Sequence, residues 1–204
     1  MNSPIHSDEP IRGHDNEGGP MTTQAWDWMS LQSLSMPASG IRALLDRLLG
    51  GGPEDSRAAR AVLYCEVANR GQLFTAAAPC VDVIAEHLRM GGRLNSAAVS
   101  TLEVILNARD HGSTVSIDGA PVDTAAYCRA RILEVLPEIL RTADPADPDH
   151  FEEVCFLVPQ LADSAPQVLD FLRLHTAGRD SRARELALAA LEEAEDVARN
   201  GPMP

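Results

Sequence analysis

Two stretches, Val81-Asp-Val-Ile-Ala-Glu-His-Leu-Arg89 and Leu133-Glu-Val-Leu-Pro-Glu-Ile-Leu-Arg141, lie 52 residues apart and align position by position. Val81, Ile84 and Leu88 in the first correspond to Leu133, Leu136 and Leu140 in the second, the spacing of one face of an α-helix. Ile41-Arg-Ala-Leu-Leu-Asp-Arg-Leu-Leu49 fits the same frame 40 residues before the first stretch. A second series runs between them: Leu63-Tyr-Cys-Glu-Val-Ala-Asn-Arg-Gly71 falls over Val104-Ile-Leu-Asn-Ala-Arg-Asp-His-Gly112, offset by 41. Units of this period that carry two helices cannot bury their apolar faces alone, so neighbouring units must stack to make a core. The spacing therefore predicts an all-α solenoid of about four helical pairs, with an irregular helical bundle as the alternative.

Working outward, the start and stop residues set eight helices. Ser39 caps the first, which Gly50-Gly51-Gly52 ends; Pro53 opens the second, read to about Arg70 before Gly71. The third spans about Thr75–Met90, and the fourth runs from Asn95 or Ser96 to Asp110. Later helices are expected at about Thr124–Thr142, from Asp147-Pro-Asp149 to Ala162, at Pro166–Thr176 and at Asp180–Arg199. Between the fourth and fifth, Thr114 to Ile117 alternate and are followed by Asp118-Gly119, the dipeptide of tight hairpin turns, so residues 113–123 predict a short hairpin-like insert.

Composition agrees with helices. Hydrophobic residues make up 45% of the 204 positions but aromatic ones only 4%, so Ala, Leu and Val must fill the core. Residues 1–24 hold little that can be buried and are expected to be a disordered tail. Residues 25–37, with Trp26, Trp28, Met29, Leu31 and Leu34, are expected to fold back as an apolar cap on a repeat domain at 38–200. A partner-binding peptide is the other reading of that segment.

Thirty acidic residues against 17 basic ones, all of them Arg, give a net charge of -13. Such a balance opposes binding to phosphate backbones or anionic membranes. No apolar stretch reaches the length of a membrane span, and the first residues lack the pattern of a secretory signal, so a cytoplasmic protein is expected. Cys65, Cys80, Cys128 and Cys155 show no paired spacing and read as small buried hydrophobes.

No phosphate-binding glycine loop, His-Glu-x-x-His or nucleophile-elbow pattern is present, so no catalytic residues, metal or cofactor are assigned. His87 aligns with Ile139 and reads as a half-buried helix histidine. The acidic run Asp144-Pro-Ala-Asp-Pro-Asp-His-Phe-Glu-Glu153 contains candidate cation ligands. A linker followed by a capped helix start requires the same residues. The candidate binding residues lie on the second helix of each pair. The offset sets Glu66 over Asn107, Asn69 over Asp110 and Arg70 over His111, and Glu153 and Gln160 extend the row. That row predicts a non-catalytic interaction module offering an acidic concave surface to a basic protein partner. An enzyme or small-molecule binder with a pocket between helical pairs is the alternative.

Several stretches carry a family resemblance: Trp28-Met-Ser-Leu31, Gly40-Ile-Arg-Ala-Leu-Leu-Asp-Arg-Leu-Leu49, Leu63-Tyr64, Gly71-Gln-Leu-Phe-Thr-Ala-Ala-Ala-Pro79 and the hairpin-like insert before an acidic, Pro-containing linker. In these the chain resembles HEAT-repeat-like proteins of actinobacterial type, most of them without an assigned activity. The resemblance covers nearly everything beyond residue 25 and implies the stacked-pair architecture. It also implies a role such as that of an immunity or accessory protein. Relatives often carry His-Gln-Gly where this chain has Asn69-Arg70-Gly71.

Overall fold

A computed structural model of the protein describes residues 25–109, 112–178 and 180–201. The tail expected at residues 1–24 lies outside them. The described residues form an all-α protein with two short hairpins: α1 (Ala38–Gly50), α2 (Pro53–Val67), β1 (Ala68–Asn69), β2 (Gln72–Leu73), α3 (Ala77–Arg89), α4 (Ser96–Asn107), β3 (Thr114–Ile117), β4 (Ala120–Asp123), α5 (Thr124–Thr142), α6 (Pro148–Leu157), α7 (Gln167–Thr176) and α8 (Ser181–Asn200). No helix among them is long and apolar enough to cross a membrane.

Local chemistry explains most helix starts. Asn95, Asp123, Asp147 and Asp180 stand just before α4, α5, α6 and α8, and each side chain accepts a hydrogen bond from the N–H three residues on. Pro53 and Pro148 occupy first-turn positions, where the missing N–H costs nothing. The acidic run at 144–153 is thereby accounted for: Asp147 caps α6, and Asp144 Oδ1 accepts from Ala146 N at 2.9 Å.

The helices alternate between two rows. Helices α1, α3 and α5 pack side by side; α2, α4, α6 and α8 form the second row, and α7 packs on α8. Aliphatic side chains fill the space between, among them Leu45, Leu48, Ile84, Leu102 and Leu136, all buried. Truncating any of these to Ala is expected to cost about 2–5 kcal/mol. The buried stripe of α8 is Ala183, Ala187, Ala190, Ala194 and Val197, small residues that admit close approach of its neighbours. Cys80, Cys128 and Cys155 are buried as expected, whereas Cys65 is exposed on the outer side of α2.

Four boundaries depart from the sequence expectation. Helix α1 begins at Ala38 after Pro37 with no side-chain cap, so Ser39 lies inside its first turn and does not cap it. Helix α2 ends at Val67, not Arg70, because residues 68–73 form a hairpin whose two central residues, Arg70 and Gly71, have φ of 50° and 80°. Positive φ at both positions matches the twist of a two-residue hairpin. Arg109 joins its edge: its N–H donates to Gly71 O at 2.6 Å and its carbonyl accepts from Leu73 N at 3.1 Å. Helix α4 accordingly ends at Asn107 rather than Asp110. Helix α6 ends at Leu157, and residues Val158–Leu161 tighten into a 3-10 turn at Pro159, which lacks the N–H an α-helix needs there. The hairpin expected at 113–123 is present, with Asp118 and Gly119 at φ 50° and 82° and Val115 buried beneath it.

Residues 25–37 lie against the helices. Trp26, Trp28, Leu31 and Met36 pack on the core. Backbone bonds run from Leu34 N to Glu66 O (3.1 Å) and from Ala76 N to Gln32 O (2.9 Å), and Thr75 Oγ1 accepts from Gln32 N at 2.7 Å.

Candidate functional site

Helix registers and the β1–β2 hairpin send the candidate residues to different places. Glu66, in the last turn of α2, faces inward and is only 6% exposed. Its carboxylate accepts from Ser35 N (2.8 Å), Ser35 Oγ (2.5 Å) and Met36 N (3.0 Å). Burial raises its pKa, but the Ser35 and Met36 hydrogen bonds outweigh that and hold it below the ordinary carboxylate value. Glu66 thus fastens the leading segment instead of lining an open surface, which corrects its expected position. Asn69 sits in β1 and Arg70 in the tight turn after it, so neither extends a helical row. Asp110 and His111 lie outside the described residues.

Asn107, Glu153 and Gln160 do come together, and they bring two residues the alignment missed. Asn107 Nδ2 donates to Glu103 Oε1 at 2.6 Å, one turn earlier on α4. Gln160 Nε2 reaches Glu193 Oε1 on α8 at 2.5 Å. Glu103 is the electrostatic centre of the group. Burial pushes its pKa up, the charges of Glu153 and Glu193 push it further, and the Asn107 hydrogen bond and the Arg60 charge oppose them. Carboxylates from α4, α6 and α8 therefore converge on one face of the second row, with Arg60 of α2 beside them. On the same face of α6, one turn beyond Glu153, Phe156 is 51% exposed, and Tyr64 of α2, one turn beyond Arg60, is also exposed. Glu103 and Glu193 gave a faint signal in the sequence as acids at helical spacing from Asn107 and from the buried alanines of α8.

A second polar group was hidden inside the apolar pattern. Asp82, within Val81-Asp-Val-Ile84 of α3, is 2% exposed and accepts three hydrogen bonds. They come from Trp26 Nε1 (2.8 Å), Tyr127 Oη (2.8 Å) and Arg131 Nε (2.7 Å). Trp26 also meets Tyr127 edge-on, ring centroids 5.7 Å apart. Arg131, 1% exposed on α5, bonds Glu134 as well, and Glu134 in turn binds Arg89 of α3 at 2.7 Å. Burial favours the neutral guanidine, but hydrogen bonding to Asp82 and the charges of Asp82 and Glu134 more than offset it, so Arg131 stays protonated. Burial, together with the adjacent Asp82 carboxylate, pushes the Tyr127 phenol up. The sequence sign of this group was an Asp and an Arg embedded in apolar helix faces, at the positions of Asp82 and Arg131.

His87 is half-buried on α3, and its Nε2 lies 3.3 Å from Arg93 O. Among the described residues no group of three or more His, Cys, Asp or Glu side chains is arranged to hold a metal ion. Comparison of the chain with protein-family models, with curated proteins and with solved structures finds no match.

Proposed function

We propose that this protein is a non-catalytic interaction module of HEAT-like stacked-pair architecture, whose acidic face on α4, α6 and α8 takes a basic segment of a partner protein. The observation that carries the reading is the convergence of Glu103, Glu153 and Glu193 from three successive second-row helices. The charges of Glu153 and Glu193 work against ionisation of Glu103, a cost that a partner's Arg or Lys side chains would relieve. Exposed Phe156 and Tyr64 beside the carboxylates supply the kind of aromatic anchor that interfaces concentrate. The alternation of helices between two rows supports the stacked-pair description, and the resemblance to HEAT-like proteins of actinobacterial type supports an immunity or accessory role.

The reading is tested by fluorescence anisotropy with an amphipathic Arg- and Leu-containing peptide. The double change Glu153→Lys with Glu193→Lys is compared with an equal reversal elsewhere, Glu54→Lys with Glu185→Lys. Binding is expected to fall by about tenfold or more only in the first variant, and the difference is expected to shrink as salt rises. Equal loss in both variants would mean that net charge alone attracts the peptide, and the face would lose its assignment.

A further inference from the structure

On the opposite row, a cavity of about 500 Å³ opens between the leading segment, α1 and α3. Its size lies in the range of pockets that hold a small organic molecule. The apolar part of its wall is Trp26, Trp28, Leu49, Val83 and Met90. The fold uses the two indoles differently. Trp26 is held by its hydrogen bond to Asp82 at 2.8 Å and by its edge contact with Tyr127, so a ligand would not have to order it. Trp28 is half-buried and packs part of its surface on the core, yet among the described residues it has neither a ring contact nor a side-chain hydrogen bond. One indole is thus a fixed wall, and the other brings to the cleft a ring that no aromatic neighbour engages.

Each carboxylate on the lining is already engaged. Asp46 pairs with Arg42 at 3.4 Å, Asp82 with Arg131 at 2.7 Å and Glu86 with Arg89 at 3.6 Å. A cationic ligand would have to compete with a guanidinium for its acid, and an anionic one would be brought up against three carboxylates. An uncharged ligand disturbs none of these pairs. What remains to hold it is apolar and aromatic contact. An aromatic ring makes offset or edge contacts with an indole that a saturated ring of the same size does not, and the Met90 thioether favours an aromatic neighbour in the same way.

We infer that this cleft is a binding site for a small uncharged aromatic compound, its ring laid against the Trp28 indole between α1 and α3. The inference is independent of the acidic face on the other row.

The chain's only two tryptophans line the cleft, so intrinsic fluorescence reports on it directly. Four probes of one shape are titrated into the full-length protein at pH 7: 3-phenylpropan-1-ol, 3-phenylpropylammonium, 3-phenylpropanoate and 3-cyclohexylpropan-1-ol. The phenyl alcohol is expected to change the emission saturably. The two charged analogues are expected to bind about tenfold or more weakly, and the cyclohexyl alcohol about threefold or more weakly. Trp28→Leu is expected to weaken the phenyl alcohol several-fold, read through Trp26, with circular dichroism checking the fold. Met90→Asp, at a position 75% exposed, replaces that variant if it does not fold and is expected to act in the same direction. A charged analogue that binds as tightly as the phenyl alcohol would overturn the selection for an uncharged ligand. Equal affinity for the phenyl and cyclohexyl alcohols would reduce the cleft to an unselective apolar cavity. No saturable response, or a folded variant that binds as well as the parent, would also overturn the assignment.

Discussion

Trp26 and Asp82 stand 56 positions apart, yet the indole N–H of one donates to a carboxylate oxygen of the other at 2.8 Å. That bond ties the leading segment to α3 at the point where α3 and α5 share their buried ion pair. Removing the indole deletes both the hydrogen bond and the edge contact with Tyr127. Trp26→Ala is expected to destabilise by about 2–4 kcal/mol, and Trp26→Phe, which keeps a ring, by about 1 kcal/mol. Urea unfolding midpoints measure both, and equal losses would mean that the hydrogen bond, absent from both variants, and not ring packing accounts for the effect.

The Asp82–Arg131 pair is expected to behave as a unit. Either Asp82→Ala or Arg131→Met removes the pair and leaves the other charge buried, with Glu134 still on Arg131 or Trp26 and Tyr127 still on Asp82, at a cost of about 3 kcal/mol. The double variant is expected to be less destabilised than the sum of the two. A double-mutant cycle by equilibrium unfolding gives the coupling directly, and strict additivity would argue against the contact.

Glu66 makes an acid-side prediction. Its folded pKa lies below the unfolded value of about 4.5, so its contribution is present above that pH. The contribution is lost as pH falls through the folded value, where both states are protonated. Glu66→Gln is therefore expected to lower stability at pH 7 and to flatten the acid limb of the stability curve. It is also expected to speed amide exchange at Ser35 and Met36, whose N–H groups it would no longer hold as a carboxylate.

His150 acts at milder pH. It is 2% exposed at the start of α6, and among the described residues neither ring nitrogen has a hydrogen-bond partner. Burial lowers its pKa and Arg93 lowers it further, against the opposing charges of Asp147 and Asp144. The folded state keeps the ring neutral while the unfolded state takes a proton below about 6.5, so stability is expected to fall as pH drops from that value toward the folded pKa. His175, packed against Phe151 and Phe171, is shifted in the same direction by burial. His150→Leu is expected to reduce the loss of Tm between pH 7 and pH 5. An unchanged slope would assign that loss to other groups.

What the sequence determined on its own was whatever closes within a few residues. The apolar stripe Val81, Ile84 and Leu88, the caps Asn95, Asp123 and Asp180, and the Asp118-Gly119 turn all act over four positions or fewer. The span Thr124–Thr142 was legible to the residue for that reason. Arg70-Gly71 was less legible, because Arg rarely takes a positive φ and the strands are only two residues long, with Arg109 bridged to their edge from 37 residues later. The tasks of Glu66, Asp82 and Glu103 were set by the tertiary structure, whatever their positions signalled in the sequence. An acid on a helix reads the same whether it faces water, a backbone N–H from 31 residues earlier or a buried guanidinium 49 residues later. Burial and distant donors set its charge and its task, and only the packing of the two helical rows brings those partners within hydrogen-bonding distance.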